Sequence, residues 1–442
     1  MDPEKTLPTA RAADPAPSFN HANINSEKTS TMAKTSNPEA SVNIIFEPAP
    51  ISTNDLEQPP TRQSLWRRIL GFFWDSVSGP PRERRYIQKL DTYMFSYMCL
   101  AYFIKQIDQT NISNAFVSGM QEDLALYGNE RNWLNTYFNV GIILGTLPSQ
   151  MIQLEMIRPS VWIPCCEITW SVLVIGMAFA DNIETMYALR FLIGFAEACV
   201  FPGFAALLGG WYGGVQLNKR MALFEQTSAI GDMFSGYLQA ALYTGLNGNA
   251  GLKGWQWMFI FDGIIGIPIA LWGFFAIPDL PHTTRAFYWS AEDKQYGIDR
   301  AEKFGHFAPE KLTGKAMLRI FVNWRLWIFI LPYLMSGQAS SGLKYFNLWL
   351  KAKGYTVVEI NTIPTAGSAL SIVAALAVGV AVDNLGYPAT TIVLIQLLVM
   401  TANIILSVWN VPGAVIIFAN YLLYVGYASQ PIIIVSLRAL LR

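Results

Sequence analysis

The sequence predicts an all-α polytopic membrane protein whose helices fall into two sets. Only 14% of its residues are charged and 52% are hydrophobic, whereas an ordinary soluble domain carries roughly a quarter charged residues. Ten apolar segments are each long enough to cross a bilayer. A polar, charged stretch separates the first six of them from the last four.

Residues 1 to about 62 hold too little apolar content to offset the entropy of ordering, so they read as disordered. No apolar signal-peptide core opens the chain, and the first membrane helix is expected to serve as the insertion signal. In SLWRRILGFFWDSV (64–77), Trp66, Ile69, Leu70, Phe73 and Val77 recur at helical spacing beside Arg67 and Arg68. That pattern fits an amphipathic helix on an anionic leaflet, and equally a short helix packed on the protein's own cytosolic face. PPRERRYIQK (80–89) adds a basic cluster, so residues 1–88 form a tail.

The first set of spans lies within 89–280, at about 91–118, 133–153, 161–180, 185–208, 221–243 and 256–278. Residues 281–324 form a linker containing SAEDKQYGIDRAEKFGHFAPEKLTGK. The second set lies within 325–442, at about 325–350, 360–382, 388–408 and 412–436. The basic cluster before the first span, Lys219 and Arg220, and the bases of the linker share one side, which places the N-terminus in the cytosol. Opposite loops are more acidic, as in QEDLALYGNE (121–130). Cys99, Cys165, Cys166 and Cys199 all sit in apolar runs and read as packing residues. A formal net charge of zero gives no reason to expect a nucleic-acid partner.

Several stretches carry a family resemblance. WDSVSGPPRERRYIQKLD (74–91), YFIKQIDQTNISNAFVSGMQEDL (102–124), RFLIGFAEACVFPGF (190–204), GWQWMFIFDGIIGIPIALWGFFAIPDLP (254–281) and YFNLWLKAKGYTVVEINTIPT (345–365) resemble the anion:cation symporters of the major facilitator superfamily. Within that group they resemble the fungal allantoate and pantothenate permeases. Allantoate-type members usually have Asp-Arg where this chain has Asp108-Gln109, and the Asp-Gln form resembles the pantothenate branch. The resemblance implies a major facilitator fold of two helical bundles working by alternating access. Two features depart from the pattern. The loop QLEMIRPSVW (153–162) keeps only Arg158 of the usual basic motif, whose second copy survives as Asp383-Asn384-Leu385-Gly386. The family has twelve helices, whereas this chain ends at PIIIVSLRALLR (431–442), so the C-terminal bundle is expected to be truncated, with about ten helices in all. A truncated gene model, a misread intron or a short isoform each accounts for that.

Charges within spans cost about 2.5–3.5 kcal/mol each on insertion scales, so they tend to face a cavity or a partner. The greasy run 92–104 is too short to cross alone, and the first helix must continue through KQIDQTNISNAF. Lys105, Asp108 and Asn111 then share one side, with Asn114 and Ser118 drifting around from it. That stripe reads as a cavity wall, with a self-satisfied Lys105–Asp108 pair as the alternative. Arg190 and Glu197 lie seven residues apart on the fourth span, as do Glu225 and Asp232 on the fifth. Asp108, Glu197 and Asp232 are the candidate proton-coupling groups. Lys105, Gln109, Asn111, Asn114, Arg190 and Asn347 are the candidate substrate contacts, with Lys344 and Gln338 weaker. Glu225 is expected in a salt bridge near Lys219 and Arg220. Glu167 and Asp262 read as capping or interhelix partners near helix ends. Pro202 is expected to bend the fourth span.

No Gly-rich phosphate loop, nucleophile elbow or zinc spacing is present, so the sequence points to neither an enzyme nor a cofactor. The expected activity is proton-coupled symport of a small carboxylate or vitamin, pantothenate foremost, by a monomer in the plasma membrane. Allantoate or another metabolite as cargo, or a truncated sensor that does not transport, are the alternatives.

Overall fold

The computed structural model describes residues 80–304 and 318–432, apart from 320, 386, 409 and 431. The tail with its 64–77 segment, linker residues 305–317, the Asp383–Gly386 side chains and the final ten residues therefore lie outside the described residues.

Every regular element among the described residues is helical. Helix α1 (Pro81–Leu90) opens on a proline at its first position, where the missing N–H costs nothing, and buries Tyr86, Ile87 and Leu90. It passes through a π-turn (Asp91–Phe95) into α2 (Ser96–Ala115), which a second π-turn (Phe116–Met120) prolongs. The first span does run through the polar stretch, as its length required. Helices α3 (Glu130–Met151) and α4 (Pro159–Met177) follow. The expected fourth span is two helices, α5 (Ile183–Glu197) and α6 (Val200–Trp211). Its break, at residues 198–199, lies one turn before Pro202, whose nitrogen cannot bond the carbonyl of Ala198.

Helices α7 (Gly214–Leu246) and α8 (Gly254–Ala276) complete the first set. A short helix α9 (Ala291–Lys303) lies in the linker, capped by Ser290. The second set comprises α10 (Trp324–Ala339), α11 (Phe346–Ala352), α12 (Val357–Leu385), α13 (Pro388–Val408) and α14 (Gly413–Val425). Helices α10 and α11 are joined by a 3-10 turn, Ser341–Tyr345, and together fill the expected seventh span.

Among the described residues, five spans are long and apolar enough to cross a membrane on length and composition alone: α4, α5 with α6, α8, α12 and α13. Helices α2 and α7 carry the charged and amide residues of the site and are correspondingly less apolar.

Small residues set the closest crossings. A Cβ on Gly141 of α3 would lie 2.2 Å from the Phe191 carbonyl oxygen of α5, and one on Gly194 would lie 2.2 Å from the Phe138 carbonyl oxygen. These backbones touch because lipid supplies no hydrophobic drive and close packing must hold the helices together. Gly263 brings α8 against Ser171 and Ile175 of α4 in the same way.

The linker is not a free tether along its whole length. Helix α9 docks on α1 and the end of α6. Trp289 stacks on Trp211 at 5.5 Å and packs against Tyr86 at 4.8 Å. Arg300 donates to the Trp211 carbonyl at 2.9 Å, and Lys89 pairs with Asp293 at 2.7 Å. We call this the linker end of the molecule and the opposite one the far end.

Candidate functional site

Helices α2 and α7 of the first set face the Ser341–Tyr345 turn, α11, α12 and the C-terminal end of α14 across a cavity of about 190 Å³. From α2 it receives Gln106, Gln109, Thr110, Ser113 and Asn114. Those positions follow the i, i+3, i+4, i+7, i+8 rule for one helical face. Across the gap lie Lys344, Asn347, Asn361 and the aromatic rings of Tyr424 and Tyr427. The charged groups lining this cavity are Asp232 and Lys344. Asp232 accepts a hydrogen bond from Gln106 Nε2 at 2.9 Å and another from the Thr110 hydroxyl. A second cavity of about 180 Å³ continues toward the linker end, sharing Gln106, Asp232, Ser368, Tyr424 and Tyr427 and adding Glu225 and Tyr102.

At the far end the two sets are joined. Asn347 donates to Asn114 at 3.0 Å, Asn361 donates to Ser118 at 3.1 Å, and Lys351 reaches Gln121 at 2.9 Å and Glu122 at 2.7 Å. Arg131 bridges the Ser113 hydroxyl, at 3.0 Å, and the Lys344 carbonyl. The chain changes direction within this seam. Ser118 (φ −102°, ψ 20°) and Gly119 (φ 116°) leave the helical region, and the second value favours glycine.

Behind the cavity wall lies a buried charged cluster. Asp108 and Arg190, each with a side chain 1% exposed, are 3.5 Å apart. The Arg190 guanidinium also stands 4.4 Å above the Phe138 ring, a cation–π contact. Glu197 and Asp262 are electrostatic neighbours of Asp108 and of Arg190. Arg190 thus stands among three buried carboxylates, with Lys105 within range of Glu197, an arrangement that low dielectric makes expensive when all three are ionised. Gln109 connects cluster and cavity. It lines the cavity and its Nε2 donates to Glu197 Oε2 at 3.0 Å.

The sequence model of the Major Facilitator Superfamily matches residues 98–441. The chain belongs to that superfamily. The MFS transporter PfmaC of Pestalotiopsis fici is 41% identical over 77% of this chain and 65% of its own length. The pantothenate transporter liz1 of Schizosaccharomyces pombe is 36% identical over 79% of this chain and 68% of its own length. The chain therefore spans about two thirds of the length of these curated relatives. A partially occluded, inward-open structure of the xylose transporter XylE from E. coli superposes with a TM-score of 0.59 at 11% identity, covering 80% of this chain and 87% of that one. This last likeness is one of fold alone.

Within the superfamily fold, the residues singled out in the sequence fall into two groups. Gln109, Asn114, Asn347 and Asp232 line the cavity. Asp108, Asn111, Arg190 and Glu197 are 0–1% exposed and face the interior of the first bundle. Lys105 is half-buried, its ammonium 5.1 Å above the Tyr102 ring, and it lies within electrostatic range of Glu197 and Glu225. The charged stripe Lys105–Asp108–Asn111 is therefore not the cavity wall. The amide and hydroxyl stripe one residue along the helix, about 100° away, forms it. Nor does Asp108 pair with Lys105; its ion partner is Arg190. Arg220 pairs not with Glu225 but with both oxygens of Asp91, at 2.7 Å each, and stacks on Tyr212. Glu225 instead lines the second cavity. Glu167 and Asp262 do act between helices, Glu167 accepting from Tyr97 at 2.6 Å and Asp262 from Asn111 at 2.6 Å. Each stands nine residues into its helix rather than at an end.

Proposed function

We propose that the chain is a proton-coupled symporter that carries a small carboxylate, pantothenate foremost, by alternating access. The plasma membrane is the proposed location, and loop charge supports a cytosolic N-terminus, with the linker end inside and the far end outside. The hydrogen bonds that join the two sets at the far end then support an inward-facing arrangement.

One contact carries this reading: the Gln109 amide, which lines the cavity while donating to Glu197. A substrate carboxylate held by Lys344 competes with Glu197 for that amide. When substrate takes it, Glu197 loses a donor in a site already crowded with Asp108 and Asp262, and a proton compensates. Substrate and proton therefore load together and leave together. Because the membrane potential drives anions outward, more than one proton per monovalent anion makes uptake favourable. The Gln109 side chain, the curated pantothenate relative and the superfamily membership support this reading in combination. Asp232, hydrogen-bonded to Gln106 and Thr110 between the two cavities, is a second proton-carrying candidate on the exit side.

The test is uptake of labelled pantothenate by cells that lack their own carrier, at acidic and at neutral external pH. Saturable uptake that rises on acidification is expected. Uptake that ignores pH refutes proton coupling, and uptake of allantoate in preference reassigns the cargo.

A further inference from the structure

Four hydrogen bonds run in one direction from the cavity to the buried cluster. Asn347 Nδ2 donates to Asn114 Oδ1 at 3.0 Å, and Asn114 Nδ2 donates to Ser235 Oγ at 2.9 Å. The Ser235 hydroxyl donates to Asn111 Oδ1 at 3.0 Å, and Asn111 Nδ2 donates to Asp262 Oδ2 at 2.6 Å. The chain links α11 of the second set, through α2 and α7, to α8 of the first. Its inner members Asn111, Asn114, Ser235 and Asp262 are at most 2% exposed, so water does not substitute for a missing link.

Direction is the informative feature. An amide can present either its oxygen or its nitrogen, and a hydroxyl can donate either way, so the three middle residues have no polarity of their own. At the inner end Asp262 Oδ2 is the acceptor, so Asn111 points its NH2 inward and its oxygen toward Ser235. Ser235 must then donate to Asn111 and accept from Asn114, which leaves Asn114 with its oxygen facing Asn347. Hydrogen bonds aligned in one direction also polarise and strengthen one another.

We infer that Asp262 is a positioning residue for substrate binding: through Asn111, Ser235 and Asn114 it fixes which atom Asn114 offers in the cavity wall and thereby holds Asn347 on the opposite bundle in place. Asp262 touches neither the cavity nor substrate itself. Asp108 and Asn111 face it from α2, and Arg190 and Glu197 from α5, so it stands among the cluster's charges while its bond is spent on the relay. On α4, Glu167 is engaged by Tyr97. The inference rests on the carrier reading above and gives it a specificity element that the charged residues do not supply.

A double-mutant cycle on the whole chain tests it, using wild type, Asp262→Asn, Asn347→Ala and the pair, with labelled pantothenate and rates normalised to surface abundance. Asparagine fills the space of aspartate yet imposes no direction, because it can flip. Asp262→Asn and Asn347→Ala are each expected to raise KM about threefold to tenfold, and the pair no further than Asn347→Ala alone. Asp262→Glu, which keeps a carboxyl oxygen as acceptor, is expected to stay nearer wild type than Asp262→Asn. A wild-type KM in Asp262→Asn, or effects that multiply in the pair, overturns the relay. If the wild-type chain shows no uptake, the carrier reading fails and the relay is judged separately. The same four proteins in detergent then give shifts in melting temperature, where non-additive shifts support it and additive shifts overturn it.

Discussion

Gly236 offers the most direct test of alternating access in this molecule. It lies on α7 where that helix meets α12 of the other set. A Cβ there would stand 2.4 Å from the Asn361 carbonyl oxygen and 2.8 Å from Thr365 Cγ2. Both distances fall below ordinary contact, and the nearer atom is backbone that cannot rotate aside. Gly236→Ala therefore forces α7 and α12 apart by about 1 Å, at a cost of about 1–3 kcal/mol for overpacking. Alanine also favours the helix over glycine by about 1 kcal/mol. That gain is equal in every conformation that keeps α7 helical, so it cancels. The overpacking penalty falls only on the arrangement in which the two helices touch here, and it shifts the balance toward the outward-open form by about 5-fold to 150-fold. In a Ser118→Cys background, whose residue 118 is 3% exposed in this structure, labelling by a membrane-impermeant maleimide added outside reads that balance. Gly236→Ala should raise the labelling rate severalfold at equal surface abundance. An unchanged or slower rate refutes the reasoning.

Four further outcomes follow from particular contacts. Lys344→Gln removes the cation from the cavity lining and should raise KM for a carboxylate substrate about 10-fold to 100-fold, as expected for a lost charged hydrogen bond, with the maximal rate less affected. Gln109→Arg brings a second cation to the wall and should move preference in competition uptake away from pantothenate and toward allantoate. Arg190→Ala strands Asp108 without its ion partner at a cost of about 3–5 kcal/mol; folded protein, followed by size-exclusion fluorescence, should fall and should recover when Asp108→Asn is added. At the linker end, burial tends to raise the Asp293 pKa, but hydrogen bonds from Lys89 and Ser290 outweigh it and hold the carboxyl below its ordinary value. A depressed pKa stabilises the docked state above the unfolded value and loses that contribution as pH falls through the folded one. Hydrogen-exchange protection of residues 291–303 should accordingly stay flat through neutral pH and decline only in strong acid.

The helical, membrane-type fold was legible because apolar length is a one-dimensional property, and among the described residues five spans meet the length and apolarity of a crossing. The polar half of the first helix became legible once thirteen apolar residues were weighed against the thickness of a bilayer. The position of the cavity on that helix was not. Periodicity says that Lys105, Asp108 and Asn111 share a face and that Gln106, Gln109 and Thr110 share another, but it does not say which face meets the second bundle. Charge drew the reading to the wrong one, because a buried ion pair and a cavity wall are written with the same residues. Arg190 stands seven residues from Glu197 but 82 from Asp108, and its pairing with Asp108 could be found only in three dimensions. Asp262 stands among apolar neighbours in FIFDGIIG with nothing nearby to suggest a relay. The signal that could have found it was the run of amides and hydroxyls across different helices, Asn111, Asn114, Ser235 and Asn347, whose alignment depends on helix crossings that sequence spacing does not encode.

The left-handed turn at Gly119 divides the first helix into a shaft and a short wrist. On the shaft sit Asp108, Asn111 and the residues that touch the cavity; on the wrist sit Gln121 and Glu122, which grip Lys351 at the mouth. A Cβ at Gly119 would meet no atom nearer than 3.9 Å, so it is dihedral freedom, not room, that demands glycine here. Because the regular hydrogen-bond ladder is interrupted between the two parts, the grip at the mouth can be re-aimed without rotating the shaft and its charges. The rim contacts and the buried charges are thereby uncoupled along one helix: a substitution on the wrist alters how Lys351 is held and leaves the Asp108–Arg190 pair where it is.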